Sequence, residues 1–192
     1  MIARLPRLFT PEEYLSIERN SDFKSEYIGG KIYAMAGGSS EHSIITMNIA
    51  GEFYSQLKGS PCRIYSSDMR VKVSSTGLYT YPDVTVVCGE PQYLDEHGDV
   101  LLNPTVIVEV LSPSTAAYDR GEKGEHYRTL ESLTDYIVVA QDRRWFEHYS
   151  RLGDNQWVLT TAKAIDQDIK LTSIGCTLRM ADIYNNVAIP DR

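Results

Sequence analysis

The chain has 192 residues, 42% hydrophobic and 23% charged, which suffices for one substantial core and not for two, so a single domain over residues 1–192 is expected. No apolar run reaches the length of a membrane span, and the start Met1-Ile2-Ala3-Arg4-Leu5-Pro6-Arg7 lacks a secretion signal's apolar stretch, so a cytoplasmic protein with no membrane partner is expected. The formal charge of −7 excludes broad electrostatic adhesion to nucleic acid; a polyanion would need a local basic patch, for which Arg63, Arg70, Lys72, Arg120, Lys123, Arg128, Arg143 and Arg144 are the candidates.

Thr10-Pro11-Glu12-Glu13 has the grammar of a helix start, with Thr10 as cap, Pro11 first in the helix and Glu13 three residues after the cap, predicting a helix to about Arg19. Alternation from Lys24 to Met35 around Gly29-Gly30 predicts a hairpin. Ser39 or Ser40 caps a second helix carrying Ile44, Met47, Ile49, Phe53 and Leu57 and ending at Gly59-Ser60-Pro61. Strands are expected at Arg63–Ser67, Met69–Val73, Tyr81–Cys88 and Val106–Leu111, with a polar excursion from Gly89 to Pro104. A helix from Asp119 to Ser132 leads into a buried strand at Tyr136–Ala140. A hairpin turning at Gly153-Asp154-Asn155 and a short helix near the end complete the order, which reads as α/β or α+β, one layer of sheet with helices on it. Cys62, Cys88 and Cys176 are odd in number, widely spaced and lack CxxC spacing, so reduced thiols are expected.

Two acids break the apolar pattern. Asp83 follows Pro82 at the entrance of Val84-Thr85-Val86-Val87, and Glu109 sits within Val106-Ile107-Val108-Glu109-Val110-Leu111, on the face of Ile107 and Leu111 by strand alternation. An ionised carboxylate there is costly unless a cation or hydrogen bonds compensate it. If the two strands are neighbours the carboxylates meet, and oxygen ligands of that kind suit Mg²⁺ or Mn²⁺. Lys123 shares a helix face with Tyr127 and Leu130, which aims its ammonium toward the core and these acids.

The ordered set Pro82-Asp83, Glu109-Val110-Leu111-Ser112-Pro113-Ser114-Thr115, Asp119-Arg120, Lys123, Tyr127 and Asp135-Tyr136-Ile137-Val138 resembles the Uma-two type restriction endonuclease family, a branch of the PD-(D/E)XK nuclease superfamily. The likeness extends from Thr10-Pro11-Glu12-Glu13-Tyr14 to Leu171-Thr172-Ser173-Ile174-Gly175. It implies a restriction-endonuclease-like fold, a central mixed β-sheet flanked by helices. It also implies a metal held by Asp83, Glu109 and the Val110 carbonyl, and phosphodiester hydrolysis. The superfamily motif wants lysine two residues after the glutamate, where this chain has Leu111; the resemblance moves that role to Lys123 on the next helix.

In the superfamily an N-terminal helix often adds an acid, for which Glu41 or Glu26 is available; Glu41 with His42 nearby is preferred, against simple capping of the helix dipole. Tyr127 or Tyr136 would buttress the site, and Asp68 lies at a family-like position. His97, His126 and His148 lack partners at zinc spacing, and neither a GxSxG elbow nor a phosphate-binding GxxxxGK[ST] loop occurs. The reading is a Mg²⁺-dependent DNA endonuclease, homodimeric by analogy. Its competitors are an inactive homodimeric interaction module on the same fold and a metal-dependent hydrolase of small phosphate esters, which suits the acidic charge.

Overall fold

The computed structural model describes residues 7–189, and the Met1–Pro6 part of the stretch tested for a secretion signal lies outside them. Thr10 caps α1 (Pro11–Glu18) by a reciprocal pair of bonds: Glu13 N–H donates to Thr10 Oγ1 at 3.2 Å, and Thr10 N–H to Glu13 Oε2 at 2.9 Å. Gly29 and Gly30, at φ of 56° and 81°, make the turn between β1 (Ser25–Ile28) and β2 (Lys31–Ala34), a left-handed conformation that a Cβ would oppose. Ser39 caps α2 (Ser40–Leu57) by accepting from His42 N–H at 3.2 Å. The buried stripe of α2 is Ile45, Ile49, Phe53 and Leu57. Ile44 is only half-buried and Met47 is exposed, so the face is rotated slightly from the expected one.

The strand expected over Tyr81–Cys88 begins only at Val84, with Tyr81, Pro82 and Asp83 outside any strand. β3 (Cys62–Ser66) and β6 (Val84–Cys88) lie in one sheet, whereas β4 (Arg70–Val73) and β5 (Leu78–Thr80) lie in another. Pro82 has no N–H to give a ladder, so the chain leaves the sheet of β4 and β5 at Thr80 and enters that of β3 and β6 at Val84. β7 (Val100–Leu101) follows within the polar excursion, then β8 (Val106–Leu111). The helix expected from Asp119 to Ser132 begins earlier and stops at Arg128, as α3 (Ala116–Tyr118), a π turn (Asp119–Lys123) and α4 (Gly124–Arg128). β9 (Asp135–Ala140), the hairpin β10 (Phe146–Gly153) and β11 (Gln156–Ala162), then β12 (Asp168–Leu171), β13 (Cys176–Arg179) and α5 (Met180–Ile183) complete the chain.

The protein is mixed α+β, with a central mixed sheet flanked by helices, though the described residues form three sheets rather than one layer. The six-stranded sheet has order β11-β10-β9-β8-β6-β3; β8 and β9 are parallel and the other pairs antiparallel. The five-stranded sheet has order β2-β1-β5-β4-β7, and β12-β13 form a small third sheet. One face of the six-stranded sheet buries Val86, Val108, Val110 and Ile137 against Ile45, Ile49 and Phe53 of α2. The other buries Ile107, Leu111 and Val138 with Tyr127 of α4 and Val71 and Leu78 of the five-stranded sheet. Each such aliphatic side chain contributes about 1.5–3 kcal/mol on burial, so β8, buried at all six positions, is central to both cores. Alternation with Val108 and Val110 turns Glu109 toward the seam between the two large sheets.

Cys62 and Cys88 are joined as a disulfide, correcting the expectation of reduced thiols; Cys176 is free and buried. The β3–β6 register sets the two cysteines opposite one another, a proximity that a separation of 26 residues does not reveal. Among the described residues no helix is long and apolar enough to cross a membrane.

Candidate active site

Glu109 is 4% exposed at mid-strand in β8. In the β6–β8 ladder Val84 faces Val108, so continuing that antiparallel register by one pair sets Asp83 opposite Glu109. Asp83 Oδ2 accepts the Val110 N–H at 2.7 Å, which locks the residue after Pro82 onto β8. His42, from the first turn of α2, brings Nε2 to 3.3 Å from the same oxygen.

The helical segment after β8 supplies the cation. Lys123 Nζ lies 2.9 Å from Glu109 Oε1, 2.8 Å from Glu26 Oε1 and 3.5 Å from Asp119 Oδ1. Tyr127 Oη donates to Glu109 Oε1 at 2.6 Å, and Tyr136 Oη donates to the Asp119 carbonyl at 2.7 Å, inside the π turn. The two tyrosines therefore divide the buttressing role between them, Tyr127 fixing the carboxylate and Tyr136 the backbone that carries Lys123. Gly124 is needed beside them: a Cβ there would lie 3.0 Å from Tyr136 Cε1 and 3.1 Å from the Asp119 carbonyl oxygen. Glu26 arrives from β1, held by Thr80 Oγ1 donating to its Oε1 at 2.5 Å.

Burial is the main cause that pushes the Glu109 carboxyl up, to about 8; the Lys123 ammonium pulls it down, while the Asp119 and Asp83 charges add to the rise. Burial likewise raises Asp119 against the pull of Lys123. For Lys123, burial alone would lower the pKa, but Glu109, Tyr127, Glu26 and Asp119 overcome it and hold the ammonium charged, well above the ordinary lysine range. His42 is raised chiefly by its hydrogen bond to Asp83, against desolvation, with the Asp83 charge, the Val110 carbonyl and Asp119 contributing.

The donor chemistry fits a hard divalent cation. Four acids, Asp83, Glu109, Glu26 and Asp119, share one ammonium and one imidazole, so the cluster carries excess negative charge in a largely buried place. Among the described residues Asp83 Oδ1 and Glu109 Oε2 accept no hydrogen bond, although the opposite oxygen of each is engaged. No three His, Cys, Asp or Glu side chains among the described residues are gathered as a ready metal cage. Two carboxylates with the Val110 carbonyl and waters is the sparse arrangement that Mg²⁺ commonly takes.

Asp83, Glu109, Lys123, Tyr127 and His42 thus stand together, with Val110 between the two acids. Glu41 does not join them: it is half-buried in the first turn of α2 and, among the described residues, makes no side-chain hydrogen bond or ion pair. Glu26 is the acid brought to Lys123 instead, and Asp119 is an addition. Its signal was present, since Asp119 and Lys123 are spaced i,i+4, the spacing of a helical ion pair. Asp68 pairs with Lys24 at the surface, and His148 bonds Asp135 at 2.6 Å away from this cluster. The eight candidate cations form no single patch: Arg70 is buried against Tyr81, Lys123 is buried here, and Arg128 lies over Tyr149.

The family model described as "Putative restriction endonuclease" (Uma2) matches residues 11–181. Two proteins of Synechocystis sp. (strain ATCC 27184 / PCC 6803 / Kazusa) align over nearly all of their length. The uncharacterized protein slr1290 is 38% identical over 187 residues, covering 97% of this chain and 96% of its own, and the uncharacterized protein sll1609 is 34% identical over 172 residues, covering 90% and 97%. A crystal structure described as a putative nuclease belonging to DUF820, from Anabaena variabilis ATCC 29413, superposes with a TM-score of 0.74 at 19% identity, covering 90% of this chain and 96% of that one. That structure shares the fold.

Proposed function

Because the chain belongs to the Uma2 family, whose model is described as "Putative restriction endonuclease", we propose that it hydrolyses DNA phosphodiester bonds with Mg²⁺ or Mn²⁺ at the site formed by Asp83, Glu109 and Lys123. The observation that carries this reading is the meeting of a buried ammonium with a strand carboxylate whose neighbour across the ladder is a second acid.

Asp83, Glu109 and the Val110 carbonyl would hold the cation, which supplies charge neutralisation at the phosphoryl group and acidifies water. Lys123 orients the attacking water and offsets charge developing on the phosphate. Glu26 and Glu109 set the position of its ammonium from two directions, and Tyr127 fixes the Glu109 oxygen that faces it. His42 fixes Asp83 in the same manner. Cutting both strands of a duplex takes two such sites, which a homodimer would provide.

The test is cleavage of varied duplex and single-stranded DNA by purified protein with Mg²⁺ or Mn²⁺, alongside Mn²⁺ titration. Wild type is expected to cleave and to bind Mn²⁺, and Glu109→Gln and Asp83→Asn to lose both while keeping the native circular dichroism spectrum. Absence of Mn²⁺ binding in folded wild type would overturn the reading in favour of an inactive module on the nuclease fold.

A further inference from the structure

At the carboxyl ends of the parallel strands β8 and β9 lies a cavity of about 230 Å³, whose lining includes Leu111, Ser112, Ala140, Asp142, Arg143 and Arg120. This is the end of an α/β strand pair at which ligands commonly sit. Leu111 is two residues beyond Glu109, about 7 Å along the strand at ~3.3 Å per residue. The cavity therefore adjoins the proposed catalytic centre without sharing its acids.

Its two arginines are held by one scaffold. Glu147, 8% exposed on β10, accepts from Arg120 Nε at 3.2 Å through one oxygen and from Trp145 Nε1 at 2.8 Å through the other. The Trp145 ring in turn lies beneath the Arg143 guanidinium at 5.5 Å, with the Lys163 ammonium 4.0 Å from its centroid. Among the described residues Arg120 makes only the bond to Glu147, and its Nη2 is buried without a partner. A guanidinium presents five N–H donors in a planar fork suited to paired oxyanions, so an arginine using one donor is poorly explained as a structural ion pair. Arg143 meets Asp142 at 3.6 Å, but both are more than two-fifths exposed, a pairing of little strength that an entering anion can replace.

We propose that Arg120 and Arg143 form a phosphate subsite, holding the backbone phosphate of a DNA strand next to the one hydrolysed. The assignment rests on the phosphodiesterase reading for its substrate. It gives an acidic protein a local cationic grip where charge neutralisation matters, and it makes Trp145 and Glu147 positioning residues for that grip. Phosphate contacts of this kind fix register without reading sequence.

The test is fluorescence anisotropy of a labelled DNA duplex, with Ca²⁺ replacing Mg²⁺ to suppress cleavage, across a salt series. Arg120→Gln and Arg143→Gln are each expected to weaken binding about 3- to 10-fold and to lower the slope of log affinity against log salt by about one. Arg143→Gln, at a partly exposed position, keeps the test valid if loss of the Glu147 bridge perturbs folding in the other variant. Unchanged affinity and slope in folded Arg143→Gln overturn the subsite, and the nuclease reading stands if wild type still cleaves. Wild type that binds through these arginines yet cleaves no DNA upholds the subsite and overturns the nuclease reading. A mononucleotide or inorganic phosphate competing as tightly as the duplex overturns the assignment to a backbone phosphate.

Discussion

Lys123 Nζ lies 2.8 Å from Glu26 Oε1, although Glu26 belongs to β1 of the five-stranded sheet and Lys123 to the π turn that follows β8 of the six-stranded one. One ammonium thus ties the two sheets together through a carboxylate from each, Glu26 and Glu109. Removing it by Lys123→Met leaves Glu109 and Asp119 buried without a cation, and a loss of about 3–5 kcal/mol in urea denaturation is expected. The double variant Lys123→Met/Glu109→Gln should recover part of that loss, since it also removes an uncompensated acid.

His42 titrates above the ordinary histidine value because Asp83 accepts its hydrogen bond. A group raised on folding contributes stability that is complete below its unfolded value of about 6.5 and is lost as pH rises through the folded value. In Asp83→Asn the imidazole should return toward 6.5, read by proton NMR of the ring, and the stability difference between wild type and variant should narrow as pH rises above that window. An unmoved His42 titration would show that the contact does not set its protonation.

Gly124→Ala places a methyl group against Tyr136 and the Asp119 carbonyl. The neighbours are a buried ring and backbone, so the cost is about 1–3 kcal/mol, measurable by thermal unfolding. Because the same contact shapes the turn bearing Lys123, the variant should also lose more activity than a surface glycine substitution such as Gly51→Ala, where a Cβ meets nothing within 4 Å.

Asp135 is 2% exposed at the start of β9 and accepts from His148, Ser173 and Thr134. Burial alone would raise its carboxyl, but these bonds and the His148 charge carry it below the usual range. A carboxyl depressed on folding contributes stability that is present above its unfolded value, near 3.9, and is lost as pH falls through the folded value. Asp135→Asn should therefore destabilise at neutral pH and show a shallower acid limb in denaturation, with Mn²⁺ binding unchanged.

Local signals were legible in the sequence and relayed ones were not. The capping box at Thr10 and Glu13 and the Gly29-Gly30 turn need only neighbouring residues, so their chemistry is written in order along the chain. Asp83 and Glu109 stood out because a charge in an apolar run demands a partner, and Lys123 because it shares a helix face with Tyr127 and Leu130. The late start of the strand expected over Tyr81–Cys88 turns on Pro82, where the chain crosses from the five-stranded sheet, left at Thr80, to the six-stranded one, entered at Val84. The π turn was hidden because its carbonyl partner is the Tyr136 hydroxyl, contributed by a different element. Glu41 was preferred to Glu26 because the order of residues does not show the β1–β5 pairing, Tyr27 opposite Tyr79, that brings Glu26 beside Thr80 and so to Lys123. The Cys62–Cys88 pairing depends in the same way on strand register.

The passage of the chain from one sheet to the other through Tyr81-Pro82-Asp83 makes the candidate cluster a product of both sheets. Glu26 is synthesised early, Asp83 near the middle and Lys123 later, and the contact between Glu26 and Lys123 exists only once both sheets have closed on the seam. A chain whose two sheets have not met therefore carries Glu26 apart from the ammonium. On the nuclease reading proposed above, the complete cluster, and with it DNA cleavage, would await the joining of both sheets.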